Sequence, residues 1–306
     1  MNNVFPTEEI MKKTMIFWQY PVITEKIFYQ QNKNDPNFVG IPWATIIDRP
    51  KLNSGNCVEQ AIKPYLNQLT SSYYTCCQHI LFRENIPMFK RLNIKIIYTP
   101  HKRKGENSIG GITIKACPLY AVNIEDESRN AFFKGKDFSY VNRKLLYSFL
   151  GQTSQVGVRQ KILKIKHHPN SFVKDIGVAW HFDQFVYSDK QNNRYEVNET
   201  DSSRKRTHIY NKLLLDSEFS LCPGGTGPNS IRFWESLALG TIPVIISDFM
   251  ELPQHPLFPH AVLRIKEAKI DSISKRLSEI STEDKIQMRK NCIQIYNDLK
   301  NNFKYN

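Results

Sequence analysis

The chain has 306 residues, enough for two domains of ordinary size, and 41% of them are hydrophobic. With 23% charged residues, the composition is typical of a folded globular protein and argues against a disordered one. The net charge of +13 favours anionic partners such as phosphates, nucleic acid or an anionic membrane. The basic residues are scattered, however, and no nucleic-acid-binding signature accompanies them, so we expect no nucleic-acid partner.

The cysteines and the amino-terminal residues bear on the compartment. Six cysteines match no zinc-binding pattern and no compact disulfide framework, which favours a reducing compartment. Residues 1–18 lack the apolar core of a signal peptide, and no apolar run reaches the length that crosses a bilayer. The sequence therefore predicts a cytoplasmic protein, with peripheral contact to the anionic inner membrane face as an open option.

Strand-like runs alternate with helix-like runs along the chain, which predicts an α/β protein. In the first half, apolar runs predict strands over residues 14–20, 43–47, 73–82, 94–99 and 112–114. Apolar residues at helical spacing predict a helix over residues 58–69. A polar stretch covers residues 123–144, and we place a domain boundary at its end.

The second half reads as a further α/β unit followed by a long helix. Its predicted strands are residues 145–150, 181–187, 218–222 and 242–247. Its predicted helices are residues 158–165, 209–215, 230–239 and 283–303, the last of them amphipathic. Residues 191–205 are polar and predict a loop. The chain is thus divided into residues 1–144, 145–282 and 283–306.

A glycine-rich turn between a predicted strand and a predicted helix carries most of the chemical information. Gly224, Gly225 and Gly227 let backbone N–H groups approach a ligand closely, because no Cβ stands in the way. The helix that begins near Ser230 has N–H groups without intrahelical partners and a positive dipole end, which together favour an anion such as a diphosphate. The turn is neither a Walker loop nor a dinucleotide-binding fingerprint.

Two charged residues follow within that helix. Arg232 and Glu235 lie three residues apart and share a face. Arg232 is suited to pairing with phosphate oxygens, and Glu235 to accepting hydrogen bonds from two ribose hydroxyls. A surface ion pair explains the same spacing equally well, so the residues alone leave both interpretations open.

The segment 230–248, Ser-Ile-Arg-Phe-Trp-Glu-Ser-Leu-Ala-Leu-Gly-Thr-Ile-Pro-Val-Ile-Ile-Ser-Asp, resembles the signature of the exostosin family. There a Ser-x-Arg-Phe-x-Glu-Ala-Leu helix leads through Gly-Cys-Ile-Pro-Val-Val to Ser-Asp or Ser-Asn. Residues 219–225 resemble that family's Phe-x-Leu-x-Pro-Arg-Gly, with Gly224 where Arg is frequent. Residues 147–151, followed by Arg159, resemble the strand that opens its second domain.

The resemblance implies a GT-B glycosyltransferase, with two Rossmann-like domains facing a central cleft and a C-terminal helix that packs back across them. Residues 1–144 are then the acceptor-side domain, residues 145–282 the nucleotide-sugar-binding domain, and residues 283–306 the C-terminal helix. The family usually uses a UDP-sugar, mostly inverts the anomeric centre, and needs no essential bound metal or other cofactor. Arg232, Arg159 and the glycine loop would hold the diphosphate, and Glu235 the ribose.

Inversion requires a general base near the acceptor hydroxyl. Asp48 and His101 follow predicted strands of the acceptor-side domain and are the two candidates, although each is also a plausible plain loop residue. Weaker candidates are Glu106, Glu125 and Asp126. The adjacent histidines at positions 167 and 168 have no third ligand at suitable spacing, so we predict a loop there and no metal site.

The expected partners are a nucleotide-sugar donor and a glycan or lipid-linked glycan acceptor, and the resemblance to bacterial members suggests capsule or lipopolysaccharide synthesis. Two alternatives stay open. A GDP-fucose-dependent fucosyltransferase has a similar order of elements, but Pro-Gly-Gly and Ser-Ile-Arg-Phe-Trp-Glu stand here in place of that class's motifs. A non-catalytic, basic nucleic-acid-binding protein predicts salt-dependent affinity for DNA or RNA.

Overall fold

A computed structural model describes residues 16–19, 22–48, 72–120, 122–125, 131–139, 142–153, 157–177 and 201–303. These residues form two compact units. The first contains the described residues up to Tyr120 together with Glu251–Pro253, and the second contains the others. The predicted division into residues 1–144, 145–282 and 283–306, with its assignment of functions, stays a prediction.

The first unit is a mostly parallel sheet with short helices. In chain order its elements are α1 (Thr24–Asn32), β1 (Phe38–Val39), α2 (Trp43–Asp48), β2 (Tyr73–Cys76), a 3₁₀ turn (Phe82–Asn85), α3 (Ile86–Arg91), β3 (Ile94–Thr99), β4 (Ser108–Ile109) and β5 (Ile112–Ala116). The strand order is β1-β2-β3-β5-β4, and only β4 pairs antiparallel with its neighbour among the described strands. The predicted strands 73–82, 94–99 and 112–114 are confirmed, although the first ends at Cys76.

The prediction of a strand over residues 43–47 is wrong, because these residues form α2. All five are buried, so the apolar run has no polar face from which a helical period could be read. The Glu25 carboxylate accepts a hydrogen bond from the Ala44 N–H at 3.2 Å and so supplies a partner for the start of this helix. Residues 16–19 of the predicted strand 14–20 have no regular structure, and the predicted helix 58–69 lies outside the described residues.

The second unit is built on a fully parallel sheet. Its elements are α4 (Val122–Glu125), a 3₁₀ turn (Ala131–Phe133), β6 (Leu145–Gly151), α5 (Gly157–Lys164), β7 (Ser171–Asp175), α6 (Asp201–Asp216), β8 (Ser217–Pro223), α7 (Ile231–Ala238), β9 (Ile242–Ile246), a 3₁₀ turn (Phe258–His260), β10 (Leu263–Arg264), a 3₁₀ turn (Glu267–Ser272), α8 (Ile273–Ser278) and α9 (Thr282–Asn302). The described strands lie in the order β7-β6-β8-β9-β10. When the five strands are numbered 1 to 5 along the chain, this order is 2-1-3-4-5, one of the two common orders of doubly wound α/β sheets.

The strands and helices predicted for this unit are confirmed at β6, α5, β8, α7, β9 and α9, whereas the predicted strand 181–187 lies outside the described residues. The loop predicted over residues 191–205 is wrong for residues 201–205, because α6 begins at Asp201. The buried stripe of α6 contains Thr207 and Asn211 as well as Tyr210 and Leu214, and its two polar members hide the helical period.

The long helix α9 packs within the second unit. Ser281 caps its first turn by accepting a hydrogen bond from the Asp284 N–H at 3.0 Å. The buried face of α9 includes Cys292, Ile295 and Leu299 and packs against α7. The packing of this helix back across both domains stays a prediction.

Candidate functional site

The carboxyl ends of β6 and β8 define the candidate site. The chain leaves β6 toward β7 on one side, whereas β8 leads to β9 on the other, so the strand order reverses between β6 and β8. In open α/β sheets a ligand binds in the crevice at such a switch point, beyond the carboxyl ends of the strands. Here β6 ends at Gly151, and β8 runs into the glycine-rich turn that leads to α7.

The glycine turn is shaped by close contacts with side chains. A Cβ on Gly225 would lie 3.0 Å from Nη2 of Arg159, and one on Gly224 would lie 3.3 Å from Oγ of Ser247. The Gly224 N–H donates to the Ile246 carbonyl at 3.1 Å, and the Gly225 N–H donates to the Gly227 carbonyl at 2.9 Å. These two amides are therefore used inside the protein, so the first two glycines serve mainly to admit the neighbouring side chains.

The start of α7 follows the turn directly. Ser230 is the N-cap residue, and its side chain makes no capping hydrogen bond. The Asn229 side chain accepts from the Ser230 N–H at 2.8 Å and from the Trp234 indole at 3.2 Å, which fixes the entry into the helix. The positive end of the α7 dipole thus lies beside the turn, as an anion-binding site requires.

Two arginines meet at this edge of the sheet, although they are far apart in the sequence. Arg159, on α5, donates from Nε to the Gly224 carbonyl at 3.0 Å and from Nη1 to the Gln152 carbonyl at 2.9 Å. Arg232, on α7, donates to the Leu150 carbonyl. A Cβ on Gly151 would lie only 2.8 Å from Nη2 of Arg232, so glycine at the end of β6 makes room for this guanidinium.

The electrostatics of the pair favour an anionic ligand. Burial, and then the positive charge of Arg232, lower the pKa of Arg159 to about 10. Among the described residues, no carboxylate lies within ion-pair distance of either guanidinium. Two positive charges whose hydrogen bonds go to backbone carbonyls retain donors and charge for phosphate oxygens.

Glu235 lies one turn further along α7 and is completely buried at 0% exposure. Its Oε2 accepts a hydrogen bond from the hydroxyl of Tyr210 at 2.5 Å. The guanidinium of Arg232 lies over the Phe149 ring, 4.7 Å from its centroid, and 5.8 Å from the Tyr210 centroid. Arg232 and Glu235 therefore both contact Tyr210, a residue that no sequence motif pointed to. Because Glu235 is buried, a ribose reaches it only if the groups that cover it move.

Cys222 also lies in this region, at the end of β8. Burial raises the pKa of its thiol to about 11, although the positive charge of Arg232 opposes this effect. The thiol therefore stays protonated at neutral pH, which argues against a role as a nucleophile.

The two base candidates of the sequence analysis lie in the first unit. Asp48 Oδ1 lies 2.7 Å from Nε2 of His79, and its other oxygen accepts from Gln19. His101 is 7% exposed, and burial, together with the positive charges of Arg83 and His79, lowers its pKa to about 3. His101 is therefore neutral at physiological pH. The sequence missed His79, which follows β2 as His101 follows β3.

The weaker candidates have structural partners. The Arg83 guanidinium donates to both oxygens of Glu106 at 2.6 and 2.5 Å, and these bonds lower the carboxyl pKa although burial alone raises it. Glu125 accepts from Tyr296 and pairs with Lys300 at 2.6 Å, and Asp126 lies outside the described residues.

The adjacent histidines lie in a loop, as predicted. His167 bonds through Nδ1 to the Tyr147 hydroxyl at 3.0 Å, and through Nε2 to the Ile162 carbonyl at 2.9 Å. His168 accepts from the Asn170 N–H through its Nδ1 at 3.1 Å. Across the described ranges, no group of three or more His, Cys, Asp or Glu side chains is arranged to hold a metal ion.

Comparison with known families decides among the classes left open by the sequence. Residues 130–280 match the exostosin GT47 domain, a stretch that runs from before β6 to the end of α8 and contains both arginines and Glu235. This match supports an exostosin-family glycosyltransferase. The fucosyltransferase and nucleic-acid-binding alternatives receive no support from this match.

Individual exostosin-type relatives cover parts of the chain. An exostosin-1 homologue of Caenorhabditis elegans is 27% identical over 199 residues, which are 62% of this chain and 50% of that protein. A probable glucuronoxylan glucuronosyltransferase of Arabidopsis thaliana is 31% identical over 91 residues, 29% of this chain and 19% of its own length. A probable glucuronosyltransferase of Oryza sativa subsp. japonica is 35% identical over 94 residues, 29% and 21% of the two chains. The chain thus spans half or less of each relative.

These relatives overturn one prediction. The cytoplasmic location is wrong, because the exostosin homologues are Golgi-type glycosyltransferases. Cysteine spacing and the lack of a long apolar run do not by themselves determine a compartment. In the part of the chain that the structure describes, no helix combines the length and apolar character that crossing a bilayer demands. The bacterial origin suggested by the sequence stays a prediction.

Proposed function

We propose that this exostosin-family chain transfers a sugar from a nucleotide-diphosphate donor, with a UDP-sugar favoured, to a glycan or lipid-linked glycan acceptor in polysaccharide synthesis. One observation carries the proposal. Two arginines without a carboxylate partner among the described residues converge at the carboxyl ends of β6 and β8, inside the matched domain.

The donor's diphosphate is proposed to bind between Arg159, Arg232 and the start of α7, where Ser230 and Gly227 border the turn. When the bond between the anomeric carbon and the diphosphate breaks, negative charge develops on the leaving oxygen. Guanidinium groups and a helix N-terminus that are already in position stabilise this charge without reorganisation. Glu235 is proposed to bind the ribose hydroxyls once the groups that cover it move aside.

The acceptor is proposed to lose its proton to a base of the first unit, in an inverting reaction on a GT-B scaffold. Of the two candidates, Asp48 fits this role better than His101. The Asp48 side chain is only partly buried, whereas His101 is buried, so an acceptor hydroxyl reaches Asp48 more readily. Asp48 is also hydrogen-bonded to His79, which holds the carboxylate in a fixed orientation.

The identity of the donor is tested by incubating the protein with each common nucleotide sugar and measuring slow donor hydrolysis. UDP-glucuronic acid comes first in this panel, because two of the relatives are named as glucuronosyltransferases. Thermal-shift measurements with UDP, GDP, CDP and ADP run in parallel. We expect hydrolysis of a UDP-sugar and stabilisation by UDP. Stabilisation by GDP alone would overturn the choice of donor, and no stabilisation by any nucleotide would overturn the site.

A further inference from the structure

Tyr210 connects the two charged groups of the candidate donor site. It lies on α6, outside the glycine-rich segment, and is 6% exposed. Its hydroxyl donates to Oε2 of Glu235 at 2.5 Å. Its ring centroid lies 5.8 Å from the guanidinium carbon of Arg232, which is within cation–π range. One side chain therefore contacts the proposed ribose-binding carboxylate through its hydroxyl, and the proposed phosphate-binding guanidinium through its ring.

Packing alone does not account for a tyrosine at this position. Tyr210 belongs to a small apolar cluster that also contains Leu214, Leu215 and Leu239, and a phenylalanine would fill the same space. The hydroxyl instead bonds to a carboxylate that is fully buried. A buried carboxylate is costly unless hydrogen bonds compensate for its lost hydration, so the Tyr210 hydroxyl has an energetic role at Glu235.

We propose that Tyr210 is a positioning residue of the donor site, whose hydroxyl orients Glu235 for the ribose and whose ring orients Arg232 for the diphosphate. This inference rests on the proposed function. A carboxylate accepts about four hydrogen bonds, so Glu235 accommodates both the tyrosine and a ribose hydroxyl. Binding groups whose orientation is fixed beforehand lose less entropy when the ligand arrives.

Two substitutions distinguish the role of the Tyr210 hydroxyl from that of its ring. Tyr210→Phe removes the bond to Glu235 and keeps the ring beneath Arg232, whereas Tyr210→Leu removes both contacts. By calorimetry we expect Tyr210→Phe to weaken UDP and UMP binding about tenfold, the size of one hydrogen bond to a charged group, while pyrophosphate affinity stays unchanged. Tyr210→Leu weakens pyrophosphate binding as well. Donor KM rises in parallel with the loss of UDP affinity, and acceptor KM stays the same.

A matched control exists in the same unit. Tyr147 is a fully buried tyrosine at the start of β6, and its hydroxyl bonds to Ser274 Oγ at 2.7 Å and to His167 at 3.0 Å. Tyr147→Phe removes a comparable buried hydroxyl at the opposite end of the strand from the site. We expect it to lower the melting temperature without changing the affinity for UDP.

A double-mutant cycle with Glu235→Gln tests whether Tyr210 acts through the carboxylate. If it does, Tyr210→Phe costs much less UDP affinity in the Glu235→Gln background than in wild type. The inference is overturned if Tyr210→Phe lowers the melting temperature but binds UDP as wild type does, or if its effect is equal in both backgrounds. Failure of wild type itself to bind UDP refutes the proposed function instead, so the two failures are distinguishable.

Discussion

The buried carboxylate of Glu25 gives a prediction about stability and pH. Glu25 is 2% exposed in the first unit. Its Oε1 accepts from the Gln78 N–H at 2.9 Å and from the Ala44 N–H at 3.2 Å, so it ties the segment after β2 to the start of α2. Burial nevertheless raises its pKa from 4.5 to about 8, an effect that those hydrogen bonds oppose and the nearby charge of Asp48 adds to.

The sign of the pH effect follows from this raised pKa. Below about pH 4.5 the carboxyl group is protonated in both folded and unfolded chains, and its contribution to stability is fully present. As the pH rises toward 8, the unfolded chain releases the proton while the folded chain retains it, and stability is lost. A pKa of about 8 against 4.5 corresponds to a loss of at most about 5 kcal/mol, at about 1.4 kcal/mol per pKa unit.

Glu25→Gln removes this titration and keeps an acceptor oxygen for the two backbone amides. We expect the free energy of unfolding of wild type, relative to the variant, to fall between about pH 5 and pH 8 by up to about 1.4 kcal/mol per pH unit. Hydrogen exchange of the β2 and β3 amides in urea reports on the stability of the first unit, because these amides exchange when that unit unfolds. Denaturation of the whole chain does not separate the two units.

Glu106→Gln is the matched control in the same unit, because hydrogen bonds from Arg83 lower the pKa of Glu106 despite its partial burial. A carboxylate whose pKa is lowered by folding stabilises the protein above the pKa of the unfolded chain, and this stabilisation is lost as the pH falls. The pH dependence at Glu106 therefore has the opposite sign to that at Glu25. The reasoning is refuted if the difference between wild type and Glu25→Gln is constant from pH 5 to pH 8.

Three further predictions concern the second unit. Gly151→Ala places a Cβ 2.8 Å from Nη2 of Arg232, so we expect roughly tenfold weaker UDP binding by calorimetry. Gly157→Ala is the control, because a Cβ at that position meets no atom within 4 Å, and we expect it to leave the UDP affinity unchanged. Arg159→Ala should weaken pyrophosphate binding roughly tenfold or more and uridine binding little, because it removes charge-assisted bonds to phosphate; equal losses for both ligands contradict this. Cys222, whose raised pKa keeps its thiol protonated, should resist iodoacetamide in the folded protein, as mass spectrometry would show.

Much of the fold was predictable because several strands are rich in apolar, β-branched residues. Ile94–Thr99 and Ile242–Ile246 are examples, and both were predicted within one residue of their ends. Helix α2 was mistaken for a strand because every residue from 43 to 47 is buried. Burial on all sides removes the alternation between apolar and polar residues on which such predictions depend.

The site was predictable in part, for a similar reason. The glycine turn and the Arg–Glu helix lie in one continuous segment, so local spacing was enough to single out Arg232 and Glu235. The contact between Tyr210 and Glu235 joins two helices separated by a strand, and nothing in local spacing indicates it. The pairing of Asp48 with His79 likewise depends on the fold, because it joins the end of α2 to the segment after β2.

Binding of a nucleoside diphosphate by the two arginines at the carboxyl ends of β6 and β8 is tested most directly by titration. UDP, uridine and pyrophosphate are titrated into wild type and into the Arg159→Ala/Arg232→Ala double variant. We predict that wild type binds UDP and pyrophosphate, and that the double variant loses roughly a hundredfold or more of both affinities while uridine binding changes little. If the double variant bound UDP and pyrophosphate as tightly as wild type does, the two arginines would not form the diphosphate site.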